Sequence, residues 1–172
     1  MATSLPIVIE RSTLLDGSAG DVWARVATVD GINHELGPWL RMTVPRAWAG
    51  ASIADLEPPQ RLGRSWVLLF GVVPVDYDDL GIEAVGERSF REVSTMATAS
   101  RWQHERWIED EPSSPARSVV RDRLTFTPRR AIRVLPVGAA LHARIVSALF
   151  AHRHRRLAAW CRACPTRPTV TP

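Results

Sequence analysis

Apolar positions between Val137 and Trp160 recur with the period of a helix, and one charge interrupts them. At about 100° per residue, Val146, Leu149, Phe150, Leu157 and Trp160 fall within an arc about 100° wide, the stripe by which a helix lies on a core. Arg153 sits in the middle of that stripe. A charge there must be paired, reach out past the end of the buried face, or line a wet cavity, because burying it alone costs several kcal/mol.

Earlier in the chain the period is different. Leu5 to Leu14 reads as a first strand, and Asp16-Gly17 as a turn. Ser18 is placed to cap a helix, with Asp21 three residues on, and Val22, Trp23, Val26 and Ala27 supply its buried face. Asp30-Gly31 is expected to break this helix, and Ile32 to Leu36 to form a second short one that ends at Gly37-Pro38. From Trp39 to Val44 apolar and polar residues alternate as in a strand, and Arg46 to Gly63 reads as a long loop or irregular helix. Ser65 to Val73 is almost wholly apolar and is expected to be a central strand. Four further strands follow, at Asp79 to Val85, Ser89 to Thr98, Arg101 to Glu109 and Arg117 to Thr127, with the polar loop DEPSSPA between the last two.

Strand, two short helices, a run of antiparallel strands and one long helix make an α+β domain, here a curved antiparallel sheet of about six or seven strands wrapped around a long C-terminal helix. Such a sheet leaves a space under the helix, a common place for a small-molecule site. A single domain over residues 1–164 is expected, with 165–172 as a disordered tail.

Composition alters this picture little. The chain is 45% hydrophobic and 23% charged, with seven Trp. All 22 basic residues are Arg, net charge is +4, and the Arg are mostly scattered among the acids. A nucleic-acid partner is not expected, since its footprint is a clustered basic face with interleaved aromatics. No stretch approaches the 18 or so apolar residues of a membrane span, and MATSLPIVIE lacks the parts of a signal peptide, so a cytoplasmic protein without an integral membrane segment is expected. Oligomeric state has no marker. His154, Cys161 and Cys164 would share a helical face, but zinc sites usually draw ligands from several elements, so neither a metal nor another cofactor is expected.

The order of elements, the segment GINHELGPWLRM from Gly31 to Met42, Asp21-Val22-Trp23 opening the first helix, Trp102 and His104 in RWQHER, and Asp122 in VVRDRLTFTPR together resemble the START-like helix-grip superfamily, often called SRPBCC. That superfamily includes polyketide cyclases, lipid-transfer proteins and pollen-allergen-type ligand carriers. The resemblance spans Ile7 to about Trp160 and implies a cavity between sheet and long helix. One such scaffold hosts carriers and enzymes alike, so the fold does not choose between them. Arg46 to Gly63 matches no motif of the more familiar members.

Side chains alternate faces along a strand. Trp102, His104, Arg106 and Ile108 therefore share one face, and Val120, Asp122, Leu124 and Phe126 share another. A hairpin centred on DEPSSPA sets Trp102 opposite Leu124 and His104 opposite Asp122. A carboxylate beside an imidazole can tune a general base or stitch two strands together. Arg153 could reach Asp122, Glu105 or the acid group of a ligand. His142 is a core histidine or a cavity liner. The ligand-binding candidates are Arg153, Trp66, Trp102, Leu124, Phe126, Val146, Leu149 and Phe150, with His104 and Asp122 as the catalytic candidates.

Three functions follow. The leading one is binding of a small hydrophobic or aromatic molecule in a cavity of several hundred Å³. The alternative is a polyketide cyclase or aromatase-type enzyme, with His104 and Asp122 as base and Arg153 stabilising an enolate. The third is an interaction module using the Arg-rich part of the long helix, with an exposed apolar patch.

Overall fold

The computed structural model describes residues 5–163. One seven-stranded antiparallel sheet has the order β1-β7-β6-β5-β4-β3-β2. Its strands are β1 (Ile7–Leu15), β2 (Leu40–Met42), β3 (Gln60–Leu69), β4 (Val73–Gly86), β5 (Ser89–Met96), β6 (Ala99–Glu111) and β7 (Ser114–Pro128). Helices α1 (Ala19–Val26) and α2 (Val29–Leu36) follow β1, and α3 (Arg130–Arg133) leads into α4 (Gly138–Ala163), which packs against β1 and α2. The expected α+β architecture is therefore present, while the proposed tail and Cys164 lie outside the described residues.

Ser18 caps α1 as its spacing predicts, its Oγ accepting from the Asp21 N–H at 3.2 Å. Gly31 does not break a helix. Thr28 caps α2, its Oγ1 accepting from the Gly31 N–H at 3.0 Å, so the junction falls at Ala27-Thr28. Gly31 lies inside α2 because α1 ends against it, and a Cβ there would stand 1.8 Å from the Arg25 carbonyl oxygen. The glycine permits a close approach, not a break.

Two strand expectations are corrected. The apolar run around Trp66 is next to the edge, paired with β2 on one side and β4 on the other, and the sheet turns at Phe70 to Val72 within it. Its apolar residues on both faces come from covering the cavity with one face and standing partly in solvent with the other. The hairpin of β6 and β7 turns at Pro112-Ser113, and β7 carries extra residues between Ser114 and Ser118. The net effect is a register two residues beyond the expected one, so Trp102 faces Phe126, His104 faces Leu124, and Arg106 faces Asp122. An even shift keeps every side chain on its face.

The Arg46 to Gly63 segment holds two one-turn 3-10 helices, Arg46–Trp48 and Ile53–Asp55, before β3 begins. Trp48 and Ile53 are buried and close one part of the cavity under the sheet.

Candidate functional site

Strand pairing builds the site. Glu92 of β5 stands opposite His104 of β6, and Arg106 stands opposite Asp122 of β7, so four ionisable side chains lie side by side on the inner face. α2 presents Glu35, and α4 presents Arg153 and His154, to the same place. All seven are buried.

Arg106 is the hub. Its Nε donates to Asp122 Oδ1 at 2.7 Å and its Nη2 to Asp122 Oδ2 at 2.7 Å. Nη1 donates to both Glu35 oxygens, at 2.8 and 3.1 Å, and Nη2 also reaches Glu35 Oε2 at 3.1 Å. Arg153 Nε donates to Glu35 Oε2 at 3.0 Å. Bidentate carboxylate contacts of this kind are what a planar guanidinium does best.

The electrostatics follow from these contacts. Burial alone would push the Asp122 carboxyl up, but the Arg106 charge and hydrogen bonds, with His104 in support, hold it well below the usual range. Glu35 is lowered the same way, burial being outweighed by Arg106 and then Arg153. Burial works against the charged form of Arg106 too, and Asp122 and Glu35 more than offset it, so its pKa is raised.

His104 and Asp122 meet as a pair despite the corrected register, diagonally instead of directly opposite. His104 Nε2 lies 2.9 Å from Asp122 Oδ1, and Nδ1 faces Glu92 Oε2 at 3.8 Å. Phe90 and Phe150 each set a ring edge-to-face with the imidazole at 5.1 Å. His154 Nε2 lies 2.7 Å from Asp122 Oδ2, and its Nδ1 2.8 Å from Thr13 Oγ1. Its nitrogens are thus engaged by protein, and no group of three metal-ligating side chains occurs among the described residues.

A second acidic pair borders the cluster. Ser94 Oγ donates to Glu92 Oε1 at 2.9 Å. Burial and the Glu92 charge push the Asp78 carboxyl well up, while Glu92 is lowered because the pull of His104, with the Ser94 hydrogen bond, outweighs its own burial.

Between sheet and α4 lies a cavity of about 110 Å³, smaller than expected because Phe150, Arg153 and Trp48 fill part of the space. Its apolar wall includes Val26, Ile82, Phe90 and Leu149, and its polar wall Asp78, Glu92, His104, Arg106 and Arg153. Trp102, Leu149, Phe150, Arg153 and His104 of the sequence candidates line it. Leu124, Phe126 and Val146 do not: they pack with Trp102 and Phe150 in a closed apolar cluster beside the cavity. Asp122 sits behind His104 and Arg106 and reaches the cavity only through them.

Trp66 is corrected outright. It is 45% exposed on the outer face, edge-on to Tyr77 at 6.0 Å, and its neighbour Val67 takes the inward position. Alternation puts the fully buried Ser65, with Val67, on the face opposite to Trp66. Glu105 is likewise no partner of Arg153, since it accepts from Arg91 Nε at 2.9 Å on the other face. His142 packs edge-on to Phe126 at 5.1 Å outside the cavity wall, with its pKa lowered by burial against an opposing pull from Asp76.

Glu35, Glu92 and Asp78 are the residues that sequence reasoning missed. Glu35 had a signal, because it shares the apolar side of α2 with Ile32 and Leu36, an acid out of place as Arg153 is a base out of place. Glu92 alternates with Phe90 on β5 and was open to the same inference.

A long helix gripped by a curled antiparallel sheet, with a cavity between them, is the START-like helix-grip fold. The chain belongs to the family described as Domain of unknown function (DUF8410), whose model matches residues 13–161. Among solved structures it is similar to a START superfamily protein from Mycobacterium smegmatis, with a TM-score of 0.64 and 9% identity, over 91% of this chain and 97% of that one. A putative uncharacterised protein from Bacillus thuringiensis matches with a TM-score of 0.62 and 14% identity, over 91% and 99%. Ara h 8.0201 matches with a TM-score of 0.60 and 10% identity, over 92% and 99%. No curated protein matches the sequence. At these identities the likeness establishes the fold.

Proposed function

We propose that this protein binds a small hydrophobic or aromatic molecule, of single-ring size and carrying an acceptor group, between the sheet and α4. The observation that carries this is the cavity of about 110 Å³ with Arg153 in its wall. An apolar cavity of about 150 Å³ takes one benzene, so a single ring fills this smaller space and enters it with slight movement of the walls. Arg153 uses Nε on Glu35, and its Nη groups make no hydrogen bond to a described residue, which leaves a fixed cation to receive a carboxylate or carbonyl.

Binding is favoured over catalysis by the state of His104. A general base must present a free nitrogen to its substrate, and both ring nitrogens here face carboxylates. The cyclase-type reading keeps one supporting observation, the His104–Asp122 contact at the cavity wall. Replacing His104 with Ala separates the two: lowered melting temperature with retained binding supports a structural pair.

Titration calorimetry with benzoate and toluene, together with native mass spectrometry of the freshly purified protein, tests the binding reading. Both probes are expected to bind wild type, and Arg153→Met to lose benzoate while keeping toluene. Failure of wild type to bind either probe, with no co-purified molecule, would overturn it.

A further inference from the structure

Charge is divided along this chain. Residues 1–122 hold 12 Arg and all 18 acidic residues, a net −6, whereas residues 123–172 hold 10 Arg and no acid, a net +10. α3 and the first half of α4 belong to the acid-free part, and their outward side chains are apolar. Val134, Leu135, Val137, Leu141 and Ile145 are all more than half exposed. Leu141 and Ile145, four residues apart, share one face at the start of α4, and Val137 stands immediately before the helix. Arg130, Arg133 and Arg144 stand exposed around them. Several exposed Arg of the sheet pair with acids, as Arg121 does with Glu109 and Arg123 with Glu10, and these three make no ion pair among the described residues.

The backbone adds an independent observation. Among the described residues, two non-glycine residues hold a positive φ, Val137 at 57° and Phe70 at 50°. Glycine adopts that conformation without a steric clash, and a β-branched residue adopts it least easily of all. Both strained residues are exposed and apolar, at 77% and 60%. Strain of this kind persists where a side chain is needed in that position.

Phe70 tips the β3–β4 hairpin beside the exposed Val72, Val73 and Val75, and its ring meets Trp39 at 5.9 Å. The base of that hairpin lies near the start of α3, because Asp76, next to Val75, accepts from the Ala97 N–H at 2.8 Å and from Thr98 Oγ1, and the Arg129 N–H donates to the Thr98 carbonyl at 2.9 Å just before α3 begins. Each group adjoins the cavity wall, through Leu40 beside Trp39 and through Leu149 one turn beyond Ile145.

From this arrangement we infer that the outer face of α3 and α4, with the β3–β4 hairpin beside it, docks on an anionic lipid bilayer surface. Exposed aliphatic side chains ringed by unpaired Arg, with no acid on α3 or α4, suit a helix lying in the headgroup layer. No helix of the described residues is long and apolar enough to cross a membrane, so the contact is with the surface. Nucleic acid would engage the Arg through phosphate and leave the five aliphatic groups unused. A symmetric pair of copies would set this Arg-rich face against itself. The inference stands on the outer face alone and does not depend on what the cavity holds.

Co-sedimentation of the full chain with vesicles provides the test. Wild type is expected to bind vesicles of equal parts phosphatidylcholine and phosphatidylglycerol, to ignore phosphatidylcholine alone, and to be released by high salt. Arg133→Gln and Arg144→Gln should each weaken binding about fivefold. The double variant Leu141→Asp/Ile145→Asp should weaken it about tenfold or more. Val137→Gly should weaken binding without lowering the melting temperature, which a purely structural valine would not do. Absence of wild-type binding to the mixed vesicles would overturn the inference. So would binding indifferent to the double variant, a dimer in sedimentation velocity that the double variant dissolves without vesicle binding, or duplex DNA capture that needs only the Arg residues.

Discussion

Arg106 joins Glu35 of α2 to Asp122 of β7, its Nη1 lying 2.8 Å from one carboxylate and its Nε 2.7 Å from the other. A single guanidinium thus ties the helical layer to the sheet inside the core. Removing one partner of such a pair leaves the other charges buried and uncompensated. Arg106→Met is therefore expected to cost about 3–5 kcal/mol in urea-melt stability. Arg153→Met should cost about 1–2 kcal/mol, because Glu35 keeps Arg106. Equal losses from the two substitutions would refute the ranking.

Acid should act on the same cluster. Glu35 and Asp122 have folded pKa values held below their unfolded ones, so their contribution is present above the unfolded values near pH 4 and is lost as pH falls through the folded ones. Glu35→Gln should be less stable than wild type at pH 7, with the gap narrowing below about pH 4. Chemical melts across that range measure it, and a gap independent of pH would count against the assignment.

Asp78 has the opposite sign. Burial and Glu92 raise its pKa, so the protonated form is favoured in the folded protein and its contribution is full below the unfolded value, then lost as pH rises through the folded one. Asn mimics the protonated side chain. Asp78→Asn should match wild type near pH 3 and become progressively more stable than it as pH rises above about 4. A constant difference between the two proteins would show that the carboxyl is not strained by its surroundings.

Much of this architecture was legible in the residues because local signals agreed with the global fold. Ser18 announced α1, the period around Val146 announced α4, and alternation set Trp102, His104 and Arg106 on one face. The missed details have physical causes. Gly31 marks a close approach between helices that no single-sequence pattern distinguishes from a break. The extra residues of β7 after Ser114 shifted a register that was judged from the centre of the loop, and so hid Arg106 as the partner of Asp122. Glu35 lies 71 residues from Arg106, and nothing local connects an acid on one helix with a base on a distant strand.

Trp66 and Leu149 were both expected in the ligand site, and the structure separates them. Leu149 lines the cavity from α4, while Trp66 stands on the outer face against Tyr77. Leu149→Trp adds a large ring to a space of about 110 Å³ and should abolish binding of a single-ring probe. It should cost at most about 1–3 kcal/mol, since the new side chain enters existing room before it forces its neighbours. Trp66→Ala, by contrast, should leave the affinity unchanged and lower stability by about 1 kcal/mol through loss of the aromatic contact. Calorimetry with benzoate distinguishes them. If Trp66→Ala weakened binding as much as Leu149→Trp, the ligand would have to lie on the outer face, and the space under α4 would be core in need of filling.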